Sequence, residues 1–166
     1  MTQTNTRVVL SSRPTGPAIT DCFSLETQAL DTLEDGQVRV AVDYISVDAG
    51  TRTMLKGEGF HNQVGLGDTI LAGGVGRIIQ SHVDGWDVGQ AVRGGLGAQT
   101  VATVPTSLLE KVDDAAAPLS AYLGILSAST GVTAWIGMRH LAKPKAGETF
   151  VVSAAAGAVG AIAGQI

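Results

Sequence analysis

One cysteine, three histidines and an aromatic content of 4% leave this 166-residue chain short of the side chains that most directly announce chemistry. With Cys22 alone, no internal disulfide can form, and a multi-cysteine zinc site is excluded by counting. Cys22 itself reads as a small, partly buried apolar residue. His61, His82 and His140 stand too far apart for ligand spacing and read as surface or loop residues. Net charge is −4 with no cluster of Lys and Arg, so a nucleic-acid surface, which needs grouped cations, is not expected. No apolar run approaches the ~18 residues needed to cross a bilayer, so no membrane partner is expected. Residues 1–6 are polar and lack the apolar stretch of a secretory leader. These absences point to a cytoplasmic location.

Charged residues are only 16% of the chain against 45% hydrophobic, which marks a folded chain. Glycine is plentiful at 22 positions, well above the usual share of about 7%, and implies many tight turns. Up to about residue 115 the pattern is short and β-like. Arg7-Val8-Val9-Leu10 predicts a strand, closed off by Arg13-Pro14-Thr15-Gly16-Pro17. Residues 37–44 alternate polar and apolar after an Asp35-Gly36 turn, the mark of a strand with one buried face. Further strands are predicted over 74–80, 90–94 and 100–104. Strands at this spacing with Gly-rich turns suggest a barrel or sandwich.

The character changes near Asp113. Residues 118–126 and 131–141 carry Leu, Ile, Ala and Trp at helical spacing, with Pro118 suited to a first turn and Thr130 placed to cap the second helix. Lys143-Pro144-Lys145-Ala146-Gly147-Glu148 stops that helix, and Thr149-Phe150-Val151-Val152-Ser153 then reads as a buried strand. A small-residue turn and a helix follow from 154 to 166.

The run Val151-Val152-Ser153-Ala154-Ala155-Ala156-Gly157-Ala158-Val159-Gly160 fits the dinucleotide fingerprint in the form A-x-G-x-x-G, with Ala155 in place of the first glycine. Glycine at 157 lets backbone N–H groups approach a pyrophosphate, whose charge the helix N-terminus favours. Glycine at 160 lets the helix sit close to the strand. The other reading of these residues is a plain tight strand–helix turn.

Several segments together resemble the zinc-independent medium-chain dehydrogenases/reductases, in the prostaglandin reductase (leukotriene B4 12-hydroxydehydrogenase-like) branch. They are Lys143 to Gly160, Leu119-Ser120-Ala121-Tyr122-Leu123-Gly124, Gly131-Val132-Thr133-Ala134-Trp135, Gly73-Gly74-Val75-Gly76, Val88-Gly89-Gln90-Ala91-Val92 and Arg7 to Pro14. The resemblance implies a mainly β fold: a GroES-like barrel with linker helices, followed by the first β-α unit of a truncated Rossmann domain. In these terms residues 1–117 are the substrate domain, 118–148 the linker helices, and 149–166 the start of the cofactor domain. It also implies NADPH as cofactor and reduction of the C=C bond of α,β-unsaturated aldehydes and ketones. Gly131 and Thr133 would lie near the nicotinamide, and Gly157, Ala158, Val159 and Gly160 would cradle the pyrophosphate.

Departures from the family pattern matter equally. Where the family often has Asp-Pro-Tyr-x-Arg beside the substrate, this chain has Asp48-Ala49-Gly50-Thr51-Arg52. Asp48, Gly50 and Arg52 are the expected pocket residues, and Gly50 in place of Tyr implies a wider wall. Trp135 stands where Tyr is usual and reads as core packing. Zinc relatives carry Gly-His-Glu near the strand at Gly73, but Leu71-Ala72-Gly73-Gly74 stands here, so no metal is expected. The residue that separates NAD from NADP lies ~20 positions past the glycine turn, outside this sequence. The chain is therefore expected to be an incomplete portion, inactive alone, that forms a homodimer or pairs with the missing cofactor domain. Two alternatives remain: a zinc-free quinone reductase, or a stand-alone GroES-like binding domain without redox activity.

Overall fold

The computed structural model describes residues 4–17, 19–59 and 62–166, and His61 lies outside them. The chain divides into two compact units, residues 1–114 and 115–166.

The first unit is built on seven strands: β1 (Thr4–Leu10), β2 (Phe23–Ala29), β3 (Gln37–Ile45), β4 (Gly73–Ser81), β5 (Ala91–Gly95), β6 (Val101–Pro105) and β7 (Leu109–Lys111). β1 and β2 form an antiparallel ribbon, and the rest form an antiparallel sheet in the order β6-β3-β4-β5-β7. Bridges from Arg7 to Gln99 and from Val9 to Thr69 join the ribbon to segments flanking that sheet, which curls into a half-barrel. Oppositely charged side chains face each other in register, Arg7 with Glu26 at 2.9 Å and Arg93 with Glu110 at 2.6 Å. Such cross-strand pairs favour one register over its neighbours.

Two clusters fill this unit. Val38, Val40, Ile78, Val92, Leu96 and Ala102 form the sheet core, each at most 1% exposed. A second cluster gathers Leu10, Cys22, Leu55, Val64, Ile70 and Ala98 under the ribbon. Cys22 is thus a buried packing residue.

β3 departs from simple alternation. Register shifts fall at Arg39/Val40 and Val42/Tyr44, and Arg39 is buried beside Val38 and Val40. Its guanidinium donates to Gln80 Oε1 at 2.5 Å and to the Asp31 carbonyl. The first shift leaves Ile79 as an extra residue on β4, and the second leaves Asp43 as an extra residue on β3. At Gly76, which pairs with Val42 beside the second shift, an added Cβ would lie 2.0 Å from the Ala41 carbonyl oxygen. Only a residue without a side chain permits this approach of backbones. β2 and β7 and the helix α1 (Thr51–Met54) are elements that the sequence pattern did not predict.

The second unit is helical. Residues expected to form a helix over 118–126 make only a 3-10 turn at Leu119–Leu123. Helix α2 (Gly131–Ile136) continues as a π-helical turn over Gly137–Ala142 and stops at Lys143, whose φ is 46°. Thr130 occupies the cap position, but its backbone is already helical and its side chain makes no capping bond. Trp135 does not pack in the core: it is half exposed, with its ring 4.9 Å from that of His140. His140 and His82 are both exposed.

The expected strand over 149–153 is absent. Val151 is 83% exposed and Phe150 41%, and only Val152 packs inward, against Ala134, Met138 and Ala163. A strand exists through its ladder, and no described segment pairs with these residues. The helix after the glycine turn does form, as α3 (Ala158–Ala163).

Candidate functional site

A cavity of about 520 Å³ lies in the β unit, between the turn after β3, the start of α1, β1 and the residues leading into β4. Its size is that of a small-molecule site. The floor is the second core cluster, where Leu55, Ile70 and Ala98 are each less than a tenth exposed. Val8 and Phe23 line the ribbon side, and Ile45, Val47 and Leu71 form an exposed apolar rim.

The wall residues are held by backbone geometry. The Ser46 N–H donates to the Gly73 carbonyl at 2.8 Å, which ties the end of β3 to β4. N–H groups of Thr51, Arg52 and Thr53 then donate back to the carbonyls of Asp48, Ala49 and Gly50, which winds the turn into α1. Arg52 donates to the Gly16 carbonyl at 2.5 Å and the Pro17 carbonyl at 3.2 Å. Arg13 donates to the carbonyls of Leu55 and Val64 at 2.9 and 2.7 Å. These two arginines clamp three loops around the cavity.

Of the three expected pocket residues, Asp48 and Arg52 line the cavity. Asp48 accepts a hydrogen bond from Ser46 Oγ at 2.7 Å. Gly50 lies on the same turn at the start of α1 but does not line the cavity, and an added Cβ there meets nothing within 4 Å. Lining also comes from β1, Ile19 and Phe23 at the start of β2, the end of β3 and the turn after it, Leu55, residues 70–72 and Ala98. Sequence reasoning missed these residues because ordinary apolar side chains from distant segments carry no local motif.

The expected cofactor residues lie in the second unit. Gly131 is buried at the start of α2, where an added Cβ would fall 1.8 Å from the Ile125 carbonyl oxygen. Thr133 Oγ1 donates to the Ser129 carbonyl one turn back. Gly157 begins α3 with φ −78° and ψ 163°, and its N–H donates to the Ala154 carbonyl at 2.8 Å. An added Cβ at Gly160 would lie 2.3 Å from that same Ala154 oxygen, so this glycine seats the helix against its turn. Ala158 and Val159 are exposed in the first turn of α3, where N–H groups have no acceptor within the helix. That donor set fits an anionic oxygen, while the Gly157 N–H is already used. Among the described residues no group of three His, Cys, Asp or Glu side chains could hold a metal ion.

Away from the cavity, one carboxyl has its ionisation shifted by a neighbouring cation. Asp114 accepts a hydrogen bond from Arg77 at 2.6 Å, and this bond with the attraction of the guanidinium holds its carboxyl below the usual carboxylate range.

The curled antiparallel sheet and its apolar cavity define a GroES-like β domain. Residues 6–112 match the family described as the N-terminal domain of oxidoreductase. The chain belongs to that family, as the N-terminal part of a zinc-independent medium-chain dehydrogenase/reductase. It is 39% identical over 166 residues to a Bacillus subtilis protein named as an NADP-dependent oxidoreductase, YfmJ, covering 100% of this chain and 49% of that one. It is 36% identical to the NADPH-dependent curcumin reductase of Escherichia coli, covering 99% of this chain and 48% of the relative. Identity to the NADP(+)-dependent 2-alkenal reductase of Nicotiana tabacum is 35%, covering 97% and 48%. The crystal structure of CurA from Vibrio vulnificus superposes with a TM-score of 0.80 at 29% identity, over 97% of this chain and 48% of that one. The same protein in complex with NADPH gives 0.75 at 26%, over 96% and 48%. The chain thus spans about half the length of the relatives it matches.

Proposed function

We propose that the protein carrying this chain is an NADPH-dependent reductase of the C=C bond of α,β-unsaturated aldehydes and ketones. The observation that carries the reading is the pairing of an apolar small-molecule cavity with similarity, along almost the whole chain, to a curcumin reductase and a 2-alkenal reductase. When bound, NADPH supplies the hydride that adds to the β-carbon. The residues present do the holding. First-turn N–H groups of Ala158, Val159 and Gly160 would take the pyrophosphate, with Gly157 keeping the turn narrow. Gly131 and Thr133 are assigned to the nicotinamide side by family likeness. The cavity would hold the alkenyl chain away from water, with Asp48 and Arg52 in its wall and Gly50 beside it. Residues 1–117 act as substrate domain, 118–148 as linker and 149–166 as the start of the cofactor domain. Turnover belongs to the longer protein, in which further residues complete the cofactor site.

The test follows NADPH absorbance with 3-decen-2-one as substrate. The chain alone should give background rates, and the chain joined to the remaining cofactor-domain residues should turn over. Gly157→Val in that longer protein should raise the KM for NADPH at least tenfold and lower the melting temperature somewhat, because φ and ψ at 157 suit any residue but the added Cβ would lie 3.1 Å from the Ala154 carbonyl oxygen. A longer protein that oxidises no NADPH defeats the proposal.

A further inference from the structure

We infer that Arg52 is a positioning residue for the substrate, which acts by holding in place the wall segment that leads to Ile19. The inference rests on the reading of this cavity as the substrate site and adds how one of its walls is fixed.

Two arginines tie the segment between β1 and β2 to the segment after β3, each reaching across from its own side. Arg13, on the first segment, donates through Nη1 to the carbonyls of Leu55 and Val64. Arg52, on α1, donates in the opposite direction through Nη1 and Nη2 to the carbonyls of Pro17 and Gly16. A guanidinium presents its N–H groups in one rigid plane, so two bonds from one fork fix a distance and an angle together. Cavity-lining residues stand at both ends of this exchange: Leu55 on one side, and Ile19, two residues past Pro17, on the other. The first segment is otherwise held near its ends, where the Ser11 N–H donates to the Cys22 carbonyl at 2.7 Å and the Cys22 N–H to the Ile19 carbonyl at 3.0 Å. Arg52 supplies the hold between them.

The two ties differ in what they support. Leu55 and Val64 are 1% and 2% exposed, so their carbonyls depend on Arg13 in place of water. Gly57, with φ 85°, lies against the same guanidinium, and an added Cβ there would fall 3.0 Å from Cζ and Nε. Arg13 thus supports the fold itself. Gly16 and Pro17 are exposed, and water can take over their carbonyls when Arg52 is removed. Loss of Arg52 therefore leaves the core in place and frees one wall of the cavity.

The longer protein is compared with its Arg52→Gln, Arg52→Lys and Arg13→Gln variants, using 3-decen-2-one and NADPH. Arg52→Gln should raise the KM for the ketone about tenfold and lower kcat less than about threefold, with the KM for NADPH unmoved. Lost holding of the substrate shows in KM, whereas a lost contact to the charge that develops on its carbonyl oxygen shows in kcat. Arg52→Lys keeps the charge and can hold one carbonyl but not fork to two, so it should recover part of the KM. Without substrate, amide relaxation should show added motion at Gly16 and Ile19 in Arg52→Gln, with β3 and β4 unchanged. Arg13→Gln should lower the melting temperature by about 4 °C or more, and Arg52→Gln by less than about 2 °C. A hundredfold fall in kcat at constant KM would overturn the inference, because Arg52 would then touch the reacting carbonyl. An unchanged KM, unchanged relaxation at Gly16 and Ile19, or a melting temperature that falls as far as in Arg13→Gln would overturn it too. Any of these in a variant of an active parent leaves the reductase proposal standing. A parent that oxidises no NADPH defeats that proposal instead, and the relaxation of Gly16 and Ile19 still decides whether Arg52 holds the wall.

Discussion

Glycine carries two different messages in this chain, and single substitutions separate them. At Gly131 the family pattern suggests a cofactor contact, yet the structure supplies a steric reason independent of any ligand. Its missing side chain leaves room for the Ile125 carbonyl, which an added Cβ would approach to 1.8 Å. Gly137, one turn and a half further on, has open space around it and an ordinary helical backbone. Gly131→Ala should therefore cost about 1–3 kcal/mol as the backbone is forced to shift. Gly137→Ala should instead stabilise by up to about 1 kcal/mol, the helix-propensity difference between the two residues. Chemical denaturation followed by circular dichroism reads both, and a neutral Gly131→Ala would remove the steric account. The sequence pattern assigned Gly157 a pyrophosphate role, Gly160 close helix–strand packing and Gly131 a place near the nicotinamide. The structure adds a local steric reason, the Ile125 carbonyl at Gly131 and the Ala154 carbonyl at Gly157 and Gly160, which depends on turn geometry that the letters do not spell out.

Elements were legible where one segment carried its own pattern, and illegible where a neighbour decided. β3 and β4 announced themselves through β-branched residues and flanking turns. β2 did not, because six of its seven residues are exposed and its pairing with β1 alone defines it. The stretch 149–153 shows the opposite failure. Its composition is that of a buried strand, but composition forms no ladder without a partner strand. The cavity was legible at Asp48 and Arg52, which sit in a recognisable run, and not at Val8, Phe23 or Leu71, which the fold brings there from elsewhere. Electrostatics at the end of the β unit gives a test at this scale. Arg77 in β4 bonds Asp114 beyond β7, so the folded state favours the ionised carboxyl. A carboxyl lowered in the folded state adds stability above its unfolded pKa, and that stability is lost as pH falls through the folded value. The effect is small, because both side chains are more than two-fifths exposed. A carbon-detected NMR titration should place the Asp114 midpoint below that of an ordinary aspartate, and Arg77→Gln should bring it back up. An unchanged midpoint in the variant would show that the pair does not form in solution.

At the scale of the whole molecule, the two units are unequal in what they bury. The β unit sets a core of residues at most 1% exposed, among them Val38, Val40, Ile78 and Val92, between paired strands, with a second cluster beneath the ribbon. The helical unit buries only Ala134, Met138 and Ala163 in its cluster, and its helices are short. Meanwhile Ile125 is 56% exposed, Leu141 77% and Val151 83%. Ordering each residue costs on the order of 1–2 kcal/mol of backbone entropy, which apolar burial must offset. Three small or flexible buried side chains offset far less of that cost than the β core does. Local opening should therefore be much easier in residues 115–166 than in the sheet. Native-state hydrogen exchange of the chain measures this directly. Amides of β3 and β4 should exchange slowest, and those of α2 and α3 faster by at least about a hundredfold, which corresponds to about 3 kcal/mol in opening free energy. Added NADPH should leave the sheet amides unchanged, since the proposed pyrophosphate donors all lie in α3. Exchange in α2 and α3 as slow as in β3 would show that the helical unit is stabilised by more than its own core, and the account of it given by burial would have to be replaced.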